Sequence, residues 1–274
     1  MNTRFLTVPG GQLAYDDTET AGPVVLCVHG MGETRGVYRF LRPALVAAGY
    51  RVITTDLRGC GESTAKWDDY STVAVAGDLI ALARAVTTEP VTLVAHSYTG
   101  GPAFLVAARA PELCSALVLI NAVARPQPKM KFYLRPAAWF VGHFAMGWVA
   151  YWSSLFKSAK PVDFADYRAA LLANLREPGR TPALAAMMAD PQRDGADAAA
   201  DVRCPVLVLM GTEDTDFPDP AEEARATAAM VADGRFQLVE GSGHYAQVEF
   251  PDVVAGAILP FLEKSGTHEH GRSN

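Results

Sequence analysis

Mostly apolar runs of four to six residues recur along the chain, and longer amphipathic segments separate them. A run with few polar residues is typical of a strand that is buried on both faces of a sheet. Between the first two runs, residues 36–48 carry a helical pattern that ends at Gly49, and a second helical stripe precedes the third run. The runs that we predict as strands are residues 24–28, 51–56, 91–95, 117–120, 206–209 and 236–239.

The first residues of the chain have a different pattern. Residues 4–8 and 11–16 are short strand-like segments on either side of Pro9 and Gly10, a turn signal that predicts a hairpin. After the hairpin, strands and helices alternate, which indicates parallel strands with helices on both faces. The pattern therefore predicts an α/β protein with a doubly wound, mostly parallel sheet of about eight strands.

One long segment interrupts this alternation. No strand pattern appears in residues 123–200, although strands flank the segment on both sides. Its first half is rich in aromatic residues, in which disordered segments are poor, so we predict a helical cap inserted into a core of residues 1–122 and 201–264. We expect a mobile loop at residues 189–201, which are rich in Ala, Asp and Gly, and a flexible tail at residues 265–274.

Ser97 lies where an apolar strand meets a helical pattern. A strand-to-helix turn this sharp exposes the side chain at its tip and places free helical N–H groups beneath it, where they can stabilise an anion. The turn needs small neighbours: Ala95 meets that need, Thr99 meets it less well, and Gly100 relieves the crowding. A buried serine that caps the helix is the alternative, and we interpret Ser97 as a nucleophile.

A serine nucleophile needs a base, and the base needs an acid that orients it. His244 follows the last strand in a Gly-Ser-Gly-His segment, and Asp214 follows the strand before it. Both therefore reach the sheet edge at which Ser97 lies, and open α/β sheets bind their ligands at that edge. We predict His244 as the base and Asp214 as the acid, with Asp216 as the rival two residues further along the loop.

His29-Gly30-Met31-Gly32 follows the first long apolar run, and its glycines allow the loop to pass close to Ser97. We predict that the backbone N–H groups of Met31 and Tyr98 form an oxyanion hole. Phosphate binding is the alternative for a glycine-rich loop after a strand. Neither the P-loop lysine nor the Gly-x-Gly-x-x-Gly spacing is present, which disfavours it.

These motifs, with the Asp56–Ser63 turn, resemble the α/β-hydrolase superfamily over essentially the whole chain except the cap. The resemblance implies the hydrolase fold, a Ser-Asp-His triad, and a structural role for the Asp56–Ser63 turn. It also implies a departure at Thr99, where most relatives carry Gly, and at Tyr98, whose large ring we expect to fill part of the pocket. Relatives that hydrolyse epoxides or remove halogens use an aspartate nucleophile, so Ser97 speaks against both chemistries.

Composition narrows the classes of partner. The net charge of −6 and the pI near 5.5 argue against nucleic acid, because phosphate binding needs a basic face. The chain has no zinc-ligand spacing, no secretory signal pattern and no apolar stretch of the ~20 residues that cross a membrane. The four cysteines are scattered singly, which favours a reducing compartment. We expect a cytoplasmic protein without a metal or cofactor, and the sequence leaves its oligomeric state open.

The cap carries the residues that decide the substrate. Trp139, Trp148 and Trp152 lie in it and predict an apolar, aromatic pocket roof, although packing of the cap onto the sheet would also explain them. Between Glu112 and Asp163 there is no acidic residue, and a solvated basic face, a site for an anionic acyl group or contact with an anionic membrane would each explain this bias. The basic residues of that stretch are Arg125, Lys129, Lys131, Arg135, Lys157 and Lys160.

The function predicted from these motifs is hydrolysis of a carboxylic ester, lactone or thioester of a hydrophobic small molecule through an acyl-enzyme on Ser97. A C–C bond hydrolase is chemically adjacent, and the sequence does not separate it from an esterase. A ligand-binding or nonhydrolytic tailoring protein with an intact triad is the alternative from another class.

Overall fold

The computed structural model describes residues 2–126, 131–158 and 160–269, the last four by their backbone only. Within these residues, eight strands form one sheet in the order β1-β2-β4-β3-β5-β6-β7-β8. The β1–β2 and β2–β4 pairs are antiparallel and the others are parallel, which confirms the predicted sheet. The strands are β1 (Arg4–Val8), β2 (Gly11–Asp17), β3 (Val24–Val28), β4 (Arg51–Thr55), β5 (Val91–His96), β6 (Cys114–Ile120), β7 (Val206–Gly211) and β8 (Gly234–Val239).

Helices cover both faces of the sheet, so the central strands are buried throughout. The side chains of β3 alternate between two hydrophobic clusters, with Leu26 on one face and Cys27 on the other. The helices are α1 (Arg42–Ala47), α2 (Thr72–Val86), α3 (Gly100–Arg109), α4 (Arg135–His143), α5 (Ala145–Ser154), α6 (Phe164–Leu175), α7 (Arg180–Ala189), α8 (Arg193–Ala198), α9 (Pro220–Ala228), α10 (Ala246–Glu249) and α11 (Pro251–Glu269).

The described residues between β6 and β7 contain only helices and loops, of which α4 to α8 are the regular elements. The expected mobile loop at residues 189–201 is wrong, because most of that segment is α8 and a short 3-10 helix that follows it, and both pack against α3. Asp190 anchors the start of this segment by accepting hydrogen bonds from the Thr72 backbone N–H and hydroxyl.

The C-terminal segment lies only partly within the described residues. Helix α11 continues to Glu269, whereas a flexible tail was expected from residue 265, and residues 270–274 lie outside the described part. The division into a core of residues 1–122 and 201–264 and a cap of residues 123–200 stays a prediction.

All four cysteines are free thiols and lie among the described residues. Cys27, Cys60 and Cys114 are buried, and Cys204 is half-buried. No helix in the described part of the chain is both long enough and apolar enough to cross a membrane.

Candidate active site

The turn between β5 and α3 presents Ser97 at its tip. Ser97 has a φ of +55°, a left-handed conformation that non-glycine residues adopt only where the surrounding structure imposes it. The backbone N–H of Val123, just after β6, donates to the Ser97 carbonyl at 2.9 Å and holds the turn in place. Buried Thr99 ties the turn to the sheet, since its hydroxyl donates to the carbonyls of His96 at 2.8 Å and Val28 at 3.3 Å.

The structure brings His244 and Asp214 together as the sequence predicts. The His244 Nδ1–H donates to Asp214 Oδ2 at 2.7 Å, and both side chains are buried. Asp216, the rival acid, lies further away, with 3.6 Å between its Oδ2 and the same nitrogen. Asp214 Oδ1 accepts the backbone N–H of Asp216 at 3.0 Å, so the loop itself fixes the orienting carboxylate.

Asn121, directly after β6, contacts the His244–Asp214 pair, and the sequence alone predicts no such role for it. Its Nδ2 donates to Asp214 Oδ2 at 2.7 Å and to the Gly243 carbonyl at 3.3 Å. The side chain is fully buried and the backbone φ is +46°. One feature of the sequence could have indicated this role, because Asn121 is a polar residue directly after a buried strand, at the sheet edge where Ser97 lies.

The charges around His244 determine its protonation. Burial works to lower the pKa of His244, but the carboxylates of Asp214 and then Asp216 outweigh it and raise the pKa to about 9. Burial works to raise the pKa of Asp214, yet the charge and hydrogen bond of His244 hold it below its usual value. The pair is therefore an imidazole and carboxylate that stabilise each other's charged forms.

His96, directly before Ser97, contacts both the backbone and the ring of His244. Its Nε2–H donates to the His244 backbone carbonyl at 2.9 Å, and the two rings lie 4.9 Å apart. Burial and the nearby His244 lower the pKa of His96 to about 3, so its ring is neutral. The sequence alone predicts no role for this residue.

The loop after β3 passes against Ser97. A Cβ added at Gly30 would lie 2.7 Å from the Ser97 Cβ, so only glycine permits this approach. Burial lowers the pKa of His29, and the neutral ring fixes the loop: Nδ1–H donates to the Gly30 carbonyl at 2.6 Å, and Nε2 accepts the Leu57 N–H at 3.0 Å. Met31, the predicted oxyanion residue of this loop, lies beside Ser97 in the lining of one cavity.

That cavity has a volume of about 370 Å³ and contains Ser97 and His244 in its wall. Besides His244, the charged residue among its described lining residues is Asp216, and the Tyr151 hydroxyl of the cap donates a hydrogen bond to Asp216. The rest of the wall is apolar and aromatic, with contributions from Met31, Val123, Leu134, Ala137, Ala138, Val141, Trp148, Leu155, Met188 and Tyr245.

A comparison with known families fits this geometry. The model of a family described as "Alpha/beta hydrolase family" matches residues 25–257, from β3 into α11. The chain belongs to the alpha/beta hydrolase family. The match includes the Ser97 turn, the Asp214 loop and His244, in the order found here.

Individual members of the alpha/beta hydrolase family carry different names. "Putative non-heme bromoperoxidase BpoC" of Mycobacterium tuberculosis is 29% identical, over 91% of this chain and 97% of its own. A thermophilic esterase from Thermogutta terrifontis has a similar structure, with 28% identity, a TM-score of 0.77, and coverage of 97% of this chain and 99% of its own. A lipase-like structure from Acinetobacter baumannii shares the fold at 21% identity and a TM-score of 0.83, over 97% of this chain and 92% of its own.

Of the three cap tryptophans predicted to line the pocket, the hydrolase places one there. Trp148 lines the cavity, and its Nε1–H donates to the Gly32 carbonyl at 2.7 Å, which joins the cap to the loop after β3. The prediction is wrong for Trp152, which is buried among other rings and donates to the Glu33 carboxylate at 2.8 Å. It is also wrong for Trp139, whose side chain is 56% exposed and faces an outer groove on α4.

The Tyr98 side chain also lies elsewhere than expected. Its ring is buried, and its hydroxyl donates to the Tyr70 carbonyl at 3.0 Å and lies 3.3 Å from Asp190. The ring therefore packs beneath the turn and does not fill the cavity. The position of the ring does not test the role of the Tyr98 backbone N–H in the oxyanion hole, which stays a prediction.

The basic residues of the cap stay outside the cavity. Arg125 forms a bidentate ion pair with Glu223. Lys131 is exposed and is not among the residues that line the cavity, and Lys129 lies outside the described residues. The charged cavity group beside His244 is acidic Asp216, which argues against a site for an anionic acyl group.

Asp214, Asp216 and His244 also form a potential metal-ligand group, with donor atoms within 4.8 Å of one another. The hydrogen bond between His244 and Asp214 already uses two of these atoms.

Proposed function

We propose that this protein is a serine hydrolase that cleaves a carboxylic ester, lactone or thioester of a hydrophobic small molecule through an acyl-enzyme on Ser97. The observation that carries the proposal is the shared cavity: Ser97 and the His244 that Asp214 orients lie in one largely apolar wall. A nucleophile, an oriented base and an apolar binding space are what acyl transfer of a hydrophobic substrate requires.

In this proposal, His244 Nε2 accepts the Ser97 proton, because its Nδ1–H is held by Asp214. The Ser97 oxygen attacks the carbonyl carbon, and the backbone N–H groups of Met31 and Tyr98 stabilise the oxyanion. The imidazolium then returns the proton to the leaving alcohol or thiol, and water attacks the acyl-enzyme by the same steps. Asp214 stabilises the imidazolium in both halves of the reaction.

The lining supports apolar acyl groups, since Val141, Leu155 and Met188 are in the wall and Asp216 repels carboxylates. Each added methylene is worth ~0.8 kcal/mol when buried, so kcat/KM for nitrophenyl esters should rise about fourfold per methylene until the cavity is full. An acyl-chain series from acetate upward measures this. A flat profile would contradict an apolar acyl site.

Covalent labelling tests the nucleophile. A fluorophosphonate should label Ser97, and Ser97→Ala should lose both labelling and ester hydrolysis, by on the order of 10⁴ to 10⁶ in rate. Ser154→Ala is a matched control, because that exposed hydroxyl lies on α5 and bonds to its own helix. Labelling at another serine would overturn the assignment.

The names of similar proteins supply the competing activities for the same assay. The protein named "Putative non-heme bromoperoxidase BpoC" is 29% identical, and two structures of a meta-cleavage product hydrolase share the fold at 21% and 20% identity. Bromide oxidation or C–C cleavage without ester turnover would favour those alternatives. Tight ligand binding without any turnover would favour a ligand-binding protein. The free thiols support a reducing, cytoplasmic location.

A further inference from the structure

Exposed apolar side chains are concentrated on one part of the cap. Of the eleven large hydrophobic side chains exposed in the described part of the chain, seven lie between residues 132 and 146. Such a cluster is unusual on a monomer surface and indicates a partner. We call it the apolar cap surface, and its members are Phe132, Tyr133, Leu134, Trp139, Phe140, Phe144 and Met146.

The apolar cap surface borders the cavity that contains Ser97. Leu134 is 47% exposed and also lines the cavity, so it belongs to both. Helix α4 presents Ala137 and Val141 to the cavity while Trp139 and Phe140 face outward. Whatever covers this surface therefore lies beside the cavity that contains Ser97.

The charged side chains within residues 131–146 are positive. Lys131 and Arg135 are exposed within it, neither forms a salt bridge with a described residue, and residues 131–146 contain no acidic side chain. Arg176 adds a third cation at its edge, where its Nη2 lies 3.6 Å from the Met146 sulfur. Aromatic rings combined with Lys and Arg are typical of surfaces that lie at the boundary of an anionic bilayer.

We propose that the apolar cap surface docks on an anionic lipid bilayer, with α4 lying in the plane of the headgroups. A second copy of the chain fits less well, because a two-fold interface would pair this surface with itself and bring its unpaired cations together. Docking itself does not depend on catalysis. Its consequence would be delivery of lipid-dissolved substrates past Leu134 to Ser97, and this consequence rests on the proposed function.

Vesicle sedimentation of the full chain with Ser97→Ala tests docking without any chemistry. We expect binding to vesicles that contain phosphatidylglycerol, weak binding to phosphatidylcholine alone, and a blue shift of Trp139 emission on binding. Arg135→Gln should weaken binding about fivefold, since each cation near an anionic surface contributes to that extent. Phe132→Ser with Phe140→Ser should weaken it by on the order of tenfold or more.

Phe5→Ser is the matched control, because Phe5 is 51% exposed on β1 at the far edge of the sheet, and it should bind like the parent. When Ser97 is kept, the Arg135 and Phe132/Phe140 variants should hydrolyse a short water-soluble ester at the parent rate. This assay separates failure of docking from failure of the proposed chemistry. Equal binding to both vesicle types, binding unaffected by the cap variants, or a dimer that those variants dissolve would overturn the proposal.

Discussion

At the scale of single residues, the two carboxylates near His244 differ in what surrounds them. Asp214 is buried and bonded to His244, Asn121 and the loop backbone. Asp216 faces the cavity, its side chain is 23% exposed, and its partner is Tyr151 of the cap. The geometry therefore suits Asp214 for orienting the ring, while Asp216 contributes charge.

Asp216→Asn should change the pH dependence of catalysis more than its maximum rate. Because Asp214 and Asp216 outweigh burial and raise the pKa of His244 to about 9, the imidazole holds a proton below that pH and cannot accept one from Ser97. Removal of one carboxylate lowers this pKa, so the rising limb of the kcat/KM profile should move to lower pH. A profile measured across neutral and alkaline pH checks the shift.

Asp214→Asn serves as the comparison for that variant, with an expected loss on the order of 10⁴ because the ring loses its orienting acceptor. If Asp216→Asn were inactive and Asp214→Asn nearly normal, the two roles would be reversed.

Gly30→Ala should inactivate the enzyme. Its Cβ would lie 2.7 Å from the Ser97 Cβ, so the loop must move away from the nucleophile and take the predicted oxyanion group of Met31 with it. Loss of one oxyanion donor costs about 10² to 10³ in kcat. Gly77→Ala is the control: Gly77 is an exposed position of α2, nothing lies within 4 Å of its added Cβ, and the change should stabilise the fold by about 0.5–1 kcal/mol. Normal kcat in Gly30→Ala would contradict the close approach.

At the scale of elements, a buried carboxylate joins the cap to the sheet. Glu33, in the loop after β3, accepts hydrogen bonds from Trp152 on α5 at 2.8 Å and from Tyr167 on α6 at 2.6 Å. Burial raises the pKa of Glu33. The loop that approaches Ser97 is thus tied to two cap helices by a group that is costly to leave without partners.

Trp152→Phe should destabilise the protein by about 1–3 kcal/mol, because it removes one donor from buried Glu33 and part of a buried ring system. Thermal unfolding followed by circular dichroism measures the loss. Trp139→Phe is the matched change on an exposed ring, and its effect should stay within about 0.5 kcal/mol. Equal effects of the two variants would mean that the Glu33 contact contributes nothing.

Strands were easier to predict than the cap elements, for a physical reason. A strand that is buried on both faces, such as β3, consists of consecutive apolar residues, so its own sequence reveals its burial. Helix α8 does not, because its Ala, Asp and Gly residues are held by contacts with α3 that no local pattern reveals. The direction of the Tyr98 ring and the contact of Asn121 with Asp214 likewise depend on residues distant in sequence.

At the scale of the whole molecule, the sheet order gathers the site at one edge. Strands β5, β6, β7 and β8 are neighbours, and their carboxyl ends lead to Ser97, Asn121, Asp214 and His244. Chain positions more than a hundred residues apart thus meet because adjacent parallel strands end side by side. The same logic allowed Ser97, Asp214 and His244 to be predicted from sequence, whereas the cavity wall, built from the cap, could not be.

The burial of the cysteines gives the molecule an internal reporter of unfolding. Burial raises the pKa of Cys60 and of Cys204 to about 12, and it raises those of Cys27 and Cys114 further, so thiolate is scarce in the native state. A maleimide should alkylate Cys204 first and the other three only as fast as the chain opens. Mass spectrometry across a urea series would then follow the opening of the chain through its own cysteines. Rapid alkylation of all four in an active enzyme would contradict this packing.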